Sequence, residues 1–269
     1  MKKIVFESDW QSFFEFHQLH GFDDFFHFDR GRIINQNSKR NVVVLELVQD
    51  GQRRTFFMKR FIQPHFKDML SAFCYFGKLC SQAEVEWRNA KILLKNGIET
   101  YHPVCFGVQS RLGLEQQSFF ITEQISGPCL TDYLSRSWKD LDDTEKKALV
   151  VNLGAFFQRI HTAGIRLPDS YLWHIYRIEP VNNGSYTLGI IDLHRMQICT
   201  HSPARAAKDL GAFLFSLPDG FMDQRFWALF MDSYLDNRGI RNADAFRRAV
   251  QQWGKRISSR RKREVETID

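Results

Sequence analysis

The sequence predicts an α+β fold in two lobes, a small antiparallel β-rich lobe over residues 1–125 and a larger, mainly helical lobe over residues 126–269. Three observations carry that expectation. The β-branched and aromatic runs at 42–48, 55–61, 103–107 and 118–123 all precede residue 125. The longest helical period, over 143–162, and the helical sequence from Ala204 onward follow it. With 43% hydrophobic residues, a chain of 269 residues can bury a core in each of two tight lobes.

Residues 1–30 are aromatic-rich and read as a packing extension; most of the 25 phenylalanines should be core. The run at 42–48 is a buried strand, Asp50-Gly51 a hairpin turn, and 55–61 the returning strand. Lys59 then sits on the outgoing arm of a hairpin among apolar neighbours. Kinases pair phosphate with a lysine on such a strand, although a lysine on any half-exposed strand reads alike. The stretch 36–41 before the hairpin would be the loop over the phosphates. It has no glycine and offers Lys39 and Arg40 instead. Residues 66–80 read as a short apolar-rich helix. Residues 83–96 read as an amphipathic helix with Glu84 and Glu86 in its first turns and Gly97 as its stop. Either glutamate could pair with Lys59, or simply favour the helix dipole. After the strands at 103–107 and 118–123, residues 123–128 form a connector whose backbone could offer adenine a donor and an acceptor.

In the second lobe, Asp143 or Thr144 would cap the 143–162 helix. Leu149, Leu153, Phe156, Phe157 and Ile160 form its apolar stripe, and Gly164 ends it. It delivers the chain to Asp169, which His174 follows five positions later. Residues 175–191, with Asn182-Asn-Gly184 as the turn, form a hairpin that returns Asp192 beside His174. This is the spacing of a kinase catalytic loop followed by a metal-holding aspartate.

Composition narrows the alternatives. Lys and Arg outnumber Asp and Glu by 37 to 31, a net charge of +6 that suits an anionic partner: nucleotide, phospholipid surface or nucleic acid. The five cysteines are scattered without a CxxC pair, so neither a zinc site nor a disulfide framework is indicated, and a reducing cytosol fits. Acidic residues interrupt the apolar start at once, unlike a signal peptide, and no apolar stretch is long enough to span a bilayer.

Phe120-Ile-Thr-Glu123, His161-x-Ala-Gly, Asp169-x-Tyr171-x-x-His174 and Ile191-Asp-Leu-His-Arg-x-Gln197 together resemble the bacterial lipopolysaccharide core kinases, the Kdo/WaaP family, in particular its heptose kinase branch. The resemblance covers roughly residues 40–235 and implies a protein-kinase-like fold. It implies ATP and Mg²⁺ as cofactors and a heptose or Kdo hydroxyl of the inner core as acceptor. It assigns Lys59 to the nucleotide phosphates, Glu86 to its ion pair and Glu123 to the start of the hinge. Asp169 becomes the catalytic aspartate, Asp192 and His174 the metal pair, and Asp209 the brace of the catalytic loop. His194 and Arg195 would touch phosphate or acidic substrate. Leu167-Pro168 departs from the usual His-Arg before the aspartate. The lipid-borne acceptor implies a cytoplasmic protein lying peripherally on an anionic inner membrane, without a nucleic-acid partner. The 66–80 helix and the basic cluster Lys255, Arg256 and 260–263 would make the contact. A kinase of a soluble small molecule, of the aminoglycoside type, and a non-catalytic kinase-like binding protein are the alternatives.

Overall fold

Alternation of inward and outward side chains organises the first half of the computed structural model, which describes residues 1–7, 9–62, 76–178 and 187–260. The chain divides into two units, 1–93 with 101–125, and 94–100 with 126–269.

The first unit is a six-stranded antiparallel sheet in the order β1-β5-β6-β4-β3-β2. Its strands are β1 (Lys2–Phe6), β2 (Arg32–Gln36), β3 (Arg40–Gln49), β4 (Gln52–Phe61), β5 (Pro103–Arg111) and β6 (Leu114–Glu123). The β3–β4 turn is the expected one. Asp50 and Gly51 sit at φ 51° and 74°, closing a tight hairpin with Gln49 paired to Gln52. The stretch 36–41 holds the loop expected before the hairpin. The Asn37 Oδ1 accepts from the N–H groups of Lys39 (2.9 Å) and Arg40 (3.0 Å), which folds it into a tight turn between β2 and β3.

Residues 1–30 form β1 on the sheet edge and the helices α1 (Trp10–Phe16) and α2 (Phe22–Phe26). These helices supply Phe14, Phe22, Phe25 and Phe26 to one core, where Phe56, Met58, Phe119 and Ile121 meet them from the sheet. The buried Arg60 guanidinium donates to the carbonyls of Phe25 and Phe28, satisfying the end of α2. On the other side lies α3 (Gln82–Lys95), whose Trp87 packs on Phe106 at 5.1 Å between ring centroids. Of the helix expected over 66–80, residues 66–75 lie outside the described residues.

The second unit holds α4 (Leu130–Ser137), α5 (Asp143–Thr162), a 3₁₀ turn (Leu172–His174), a hairpin of β7 (Ile175–Ile178) and β8 (Thr187–Ile190), and the helices α6 (Pro203–Phe215), α7 (Gln224–Leu235) and α8 (Ala243–Ser258). The apolar stripe of α5 is buried as its spacing predicts, with Phe157 against Phe213 at 4.9 Å. A Cβ on Gly154 would lie 2.5 Å from the Phe230 carbonyl, so a glycine lets α5 approach α7. The cap of α5 is Asp142 rather than Asp143 or Thr144. Its Oδ1 accepts from the Glu145 N–H (2.8 Å), and Glu145 Oε2 accepts from the Asp142 N–H (2.9 Å). Residues 94–100 join this unit through the Glu99 carbonyl, which accepts from the Ile190 N–H at 3.0 Å.

Candidate active site

Strand parity places Lys59. Phe56 and Met58 of β4 enter the phenylalanine core, so Lys59 faces the side covered by α3. There its Nζ lies 2.7 Å from Glu86 Oε1, with only 17% of the lysine side chain and 2% of the glutamate exposed. The Tyr101 hydroxyl donates to the other oxygen of Glu86 (3.2 Å). Glu84, half a helical turn earlier, points elsewhere, to Lys78 (2.7 Å) and Arg88 (2.9 Å). Glu123 ends β6 with its carboxylate 3.8 Å from Arg54. Its N–H donates to the His102 carbonyl and that of Gln124 to Thr55. Both amides are therefore taken up by backbone bonds within the first unit.

In the second unit, α5 ends at Gly164, where φ is 69°. Arg166 and Gln197 then exchange backbone N–H···O bonds of 2.8 and 3.0 Å. Asp209, fully buried on α6, accepts from Arg166 Nε (3.0 Å) and from the Leu167 N–H (3.1 Å). Its own carbonyl accepts from the Ser170 hydroxyl (2.8 Å). The loop carrying Asp169 is thus tied to α6 by three hydrogen bonds flanking the aspartate. Arg195 Nη1 donates to Asp169 Oδ1 at 2.8 Å.

The Asp169 carbonyl accepts from the Tyr171 N–H and lies 2.8 Å from His174 Nδ1. A carbonyl can only accept, so Nδ1 carries a proton, which leaves Nε2 as the ring nitrogen able to act as a ligand. That nitrogen is 4.0 Å from Asp192 Oδ2. The hairpin sets this distance: Ile175 pairs with Ile190, and the Ile191 N–H donates to the His174 carbonyl at 2.9 Å. Asp192 has a φ of 61°, a left-handed conformation uncommon for any residue but glycine. His194 Nδ1 lies 3.0 Å from its Oδ1. A carboxylate and an unprotonated imidazole nitrogen are both donor types that divalent cations take. Magnesium favours the carboxylate.

Asp169, His174, Asp192, His194 and Arg195 thus converge in the second unit, with Asp209 beneath. Lys59, Glu86 and Glu123 lie in the first. Sequence reasoning gave no role to Arg166, His161 or Tyr234. His161 is buried at the end of α5, with Nδ1 2.9 Å from the Tyr234 hydroxyl and Nε2 3.8 Å from Asp209 Oδ2. Burial pushes its pKa below the usual value, against the pull of Asp209. Burial likewise pushes the Tyr234 phenol far up. The legible signals were a histidine on the apolar stripe of a helix and its place in the His161-x-Ala-Gly string.

The profile of the lipopolysaccharide kinase (Kdo/WaaP) family matches residues 25–234. The lipopolysaccharide core heptose(I) kinase WaaP of Pseudomonas aeruginosa is 29% identical over 157 residues, and that of Escherichia coli 30% over 158. Each match takes in 56% of this chain and 59% of the relative's length. A solved structure of WaaP in complex with acyl carrier protein superposes with a TM-score of 0.70 at 22% identity, over 96% of this chain and 98% of that one. Its likeness identifies the fold as protein-kinase-like, with a sheet-rich N-terminal and a helical C-terminal part.

Proposed function

The chain belongs to the lipopolysaccharide kinase (Kdo/WaaP) family, and from that premise we propose that it transfers the γ-phosphoryl group of ATP to a sugar hydroxyl, of heptose or Kdo, in the lipopolysaccharide inner core. The observation that supports this reading best is the grouping of Asp169, His174 and Asp192 at the end of the β7–β8 hairpin. Asp169 takes the hydroxyl proton as the sugar oxygen approaches phosphorus, and Arg195 on Oδ1 orients the carboxylate. Lys59 holds phosphate oxygens, and Glu86 fixes its ammonium. Asp192 and His174 would hold Mg²⁺, with His194 steadying the carboxylate. Magnesium, when bound, offsets charge on the phosphate oxygens. Asp209 keeps the loop around Asp169 in place.

An acceptor on a membrane-anchored glycolipid puts the chain at the cytosolic face of the inner membrane, held there peripherally. No helix among the described residues is long and apolar enough to cross a membrane. The test incubates the purified chain with Mg-ATP and lipopolysaccharide lacking its core phosphate, with the product read by mass spectrometry. Wild-type protein should add phosphate. Asp169→Ala and Asp192→Asn should abolish transfer, and Asp192→Asn should weaken Mg-ATP binding more. Phosphorylation of an aminoglycoside but not of lipopolysaccharide, or no transfer at all, would overturn the proposal.

A further inference from the structure

The sheet of the first unit uses one tight turn twice and fills it differently each time. At the β3–β4 turn, Asp50 and Gly51 have φ values of 51° and 74°. At the β5–β6 turn, where Arg111 pairs with Leu114, Leu112 and Gly113 have 51° and 78°. Left-handed backbone suits Asp, Asn or Gly at the first of these positions and is uphill for leucine. Asp50 follows that preference. Leu112 defies it and packs against nothing: 95% of it is exposed. Folding therefore gains nothing from this leucine, in its backbone or in its contacts.

Its surroundings say what would. Leu114 on the same tip is 38% exposed, and Met1, beside Ser110 on the adjoining strand, is 83% exposed. The polar company is basic: Arg111, Lys2 and Lys3 are all exposed, although Lys2 also reaches Asp23. Among residues 1–3 and 108–117 the one carboxylate, Glu115, is buried and bonded to the Ser118 hydroxyl and the Gln82 N–H. Apolar side chains at a protruding tip with cations behind them match the layering of a bilayer surface, hydrocarbon beneath anionic headgroups.

We propose that the β5–β6 hairpin tip docks on an anionic lipid bilayer, with Leu112 inserted past the headgroups and Arg111 among them. The inference rests on the reading that the acceptor is membrane-borne, and it names the surface that meets the membrane. The test is co-sedimentation of the full chain with vesicles of phosphatidylethanolamine and phosphatidylglycerol. Leu112→Asn should lower partitioning about tenfold, the scale of one lost apolar side chain. The melting temperature should hold or rise, because Asn suits the turn. Arg111→Gln should lower binding to these vesicles at low salt but not to phosphatidylcholine vesicles. Equal binding by wild-type and Leu112→Asn protein overturns the proposal, as does a wild-type chain that ignores the vesicles. Transfer to a water-soluble core oligosaccharide is measured in parallel. Its absence with Leu112-dependent binding intact counts against the kinase reading alone. Its presence with unaltered binding by Leu112→Asn counts against the docking alone.

Discussion

Glu84 and Glu86 are two positions apart on α3, and their surroundings separate their roles. Glu86 is buried against Lys59 and Tyr101, whereas Glu84 lies among Lys78 and Arg88. Removing one partner of a buried pair leaves the other charge stranded, at a cost of about 3–5 kcal/mol when burial is complete. Because 17% of the Lys59 side chain is exposed, the lower end of that range applies. Lys59→Met should remove turnover or raise the ATP requirement, Glu86→Gln should do so less, and Glu84→Gln should leave both near wild type. Steady-state kinetics with the two glutamate variants exchanged in severity would show that Glu84 holds the functional position. Lys59 was legible in the sequence because an Asp-Gly turn between two β-rich runs fixes its strand; its face came only with the structure. The choice of Glu86 rested on resemblance, since helical spacing alone left both glutamates open. His161 and Tyr234 were not legible as a pair: 73 residues separate them, and no local pattern reports a contact made only by the packing of α5 on α7.

At the scale of elements, boundaries came less easily than identities. The α5 helix was evident from its stripe, yet its cap was misplaced by one or two residues. Asp142, Asp143 and Thr144 are all cap formers, and only the reciprocal bonding of Asp142 with Glu145 decides among them. Asp142→Ala should cost about 1 kcal/mol, while Asp143→Ala, which loses only exposed ion pairs to Lys147 and Arg225, should cost clearly less. Urea denaturation of the two variants checks this, and equal losses would return the cap to Asp143. The 36–41 loop was legible in its place but not in its shape: Asn37 closes it through its side chain, a local bond that composition suggests but does not position. The β7–β8 pairing was readable because a strand on either side of Asn-Asn-Gly has few other ways to fold. The turn itself, 182–184, lies outside the described residues.

For the molecule as a whole, the family and the two-part α+β organisation were legible because motifs and periodicity agree along most of the chain. The surfaces proposed to meet lipid were less so. Of the basic cluster, 261–263 lie outside the described residues, and the exposed leucine at 112 carries no sequence pattern. Acid sensitivity belongs to this scale too. Burial keeps the His161 pKa below its usual 6.5, so at mildly acid pH the unfolded chain takes up a proton that the folded chain resists. The stability tied to the neutral ring is complete above 6.5 and declines as pH falls below it. His17, also lowered by burial, has the same sign. The urea midpoint should drop between about pH 7.5 and about pH 5.5, and drop less in His161→Gln. Parallel pH profiles for the two proteins would assign the sensitivity to other groups.

The chain enters and leaves its second unit before it finishes the first, since 94–100 belong with 126–269. Glu99 bonds the backbone of Ile190, and the Thr100 hydroxyl bonds the Ile190 carbonyl, 90 residues downstream. On a ribosome these early residues wait roughly 5–20 s for their partner, at translation speeds of about 5–20 residues per second. The β-sheet can close in that interval once Glu123 has emerged, while Glu99 and Thr100 stay unsatisfied. A gene split after codon 125 would separate the hairpin that leads to Asp192 from the short segment that borders it, and the bonds of Glu99 and Thr100 to Ile190 would then have to form between two chains.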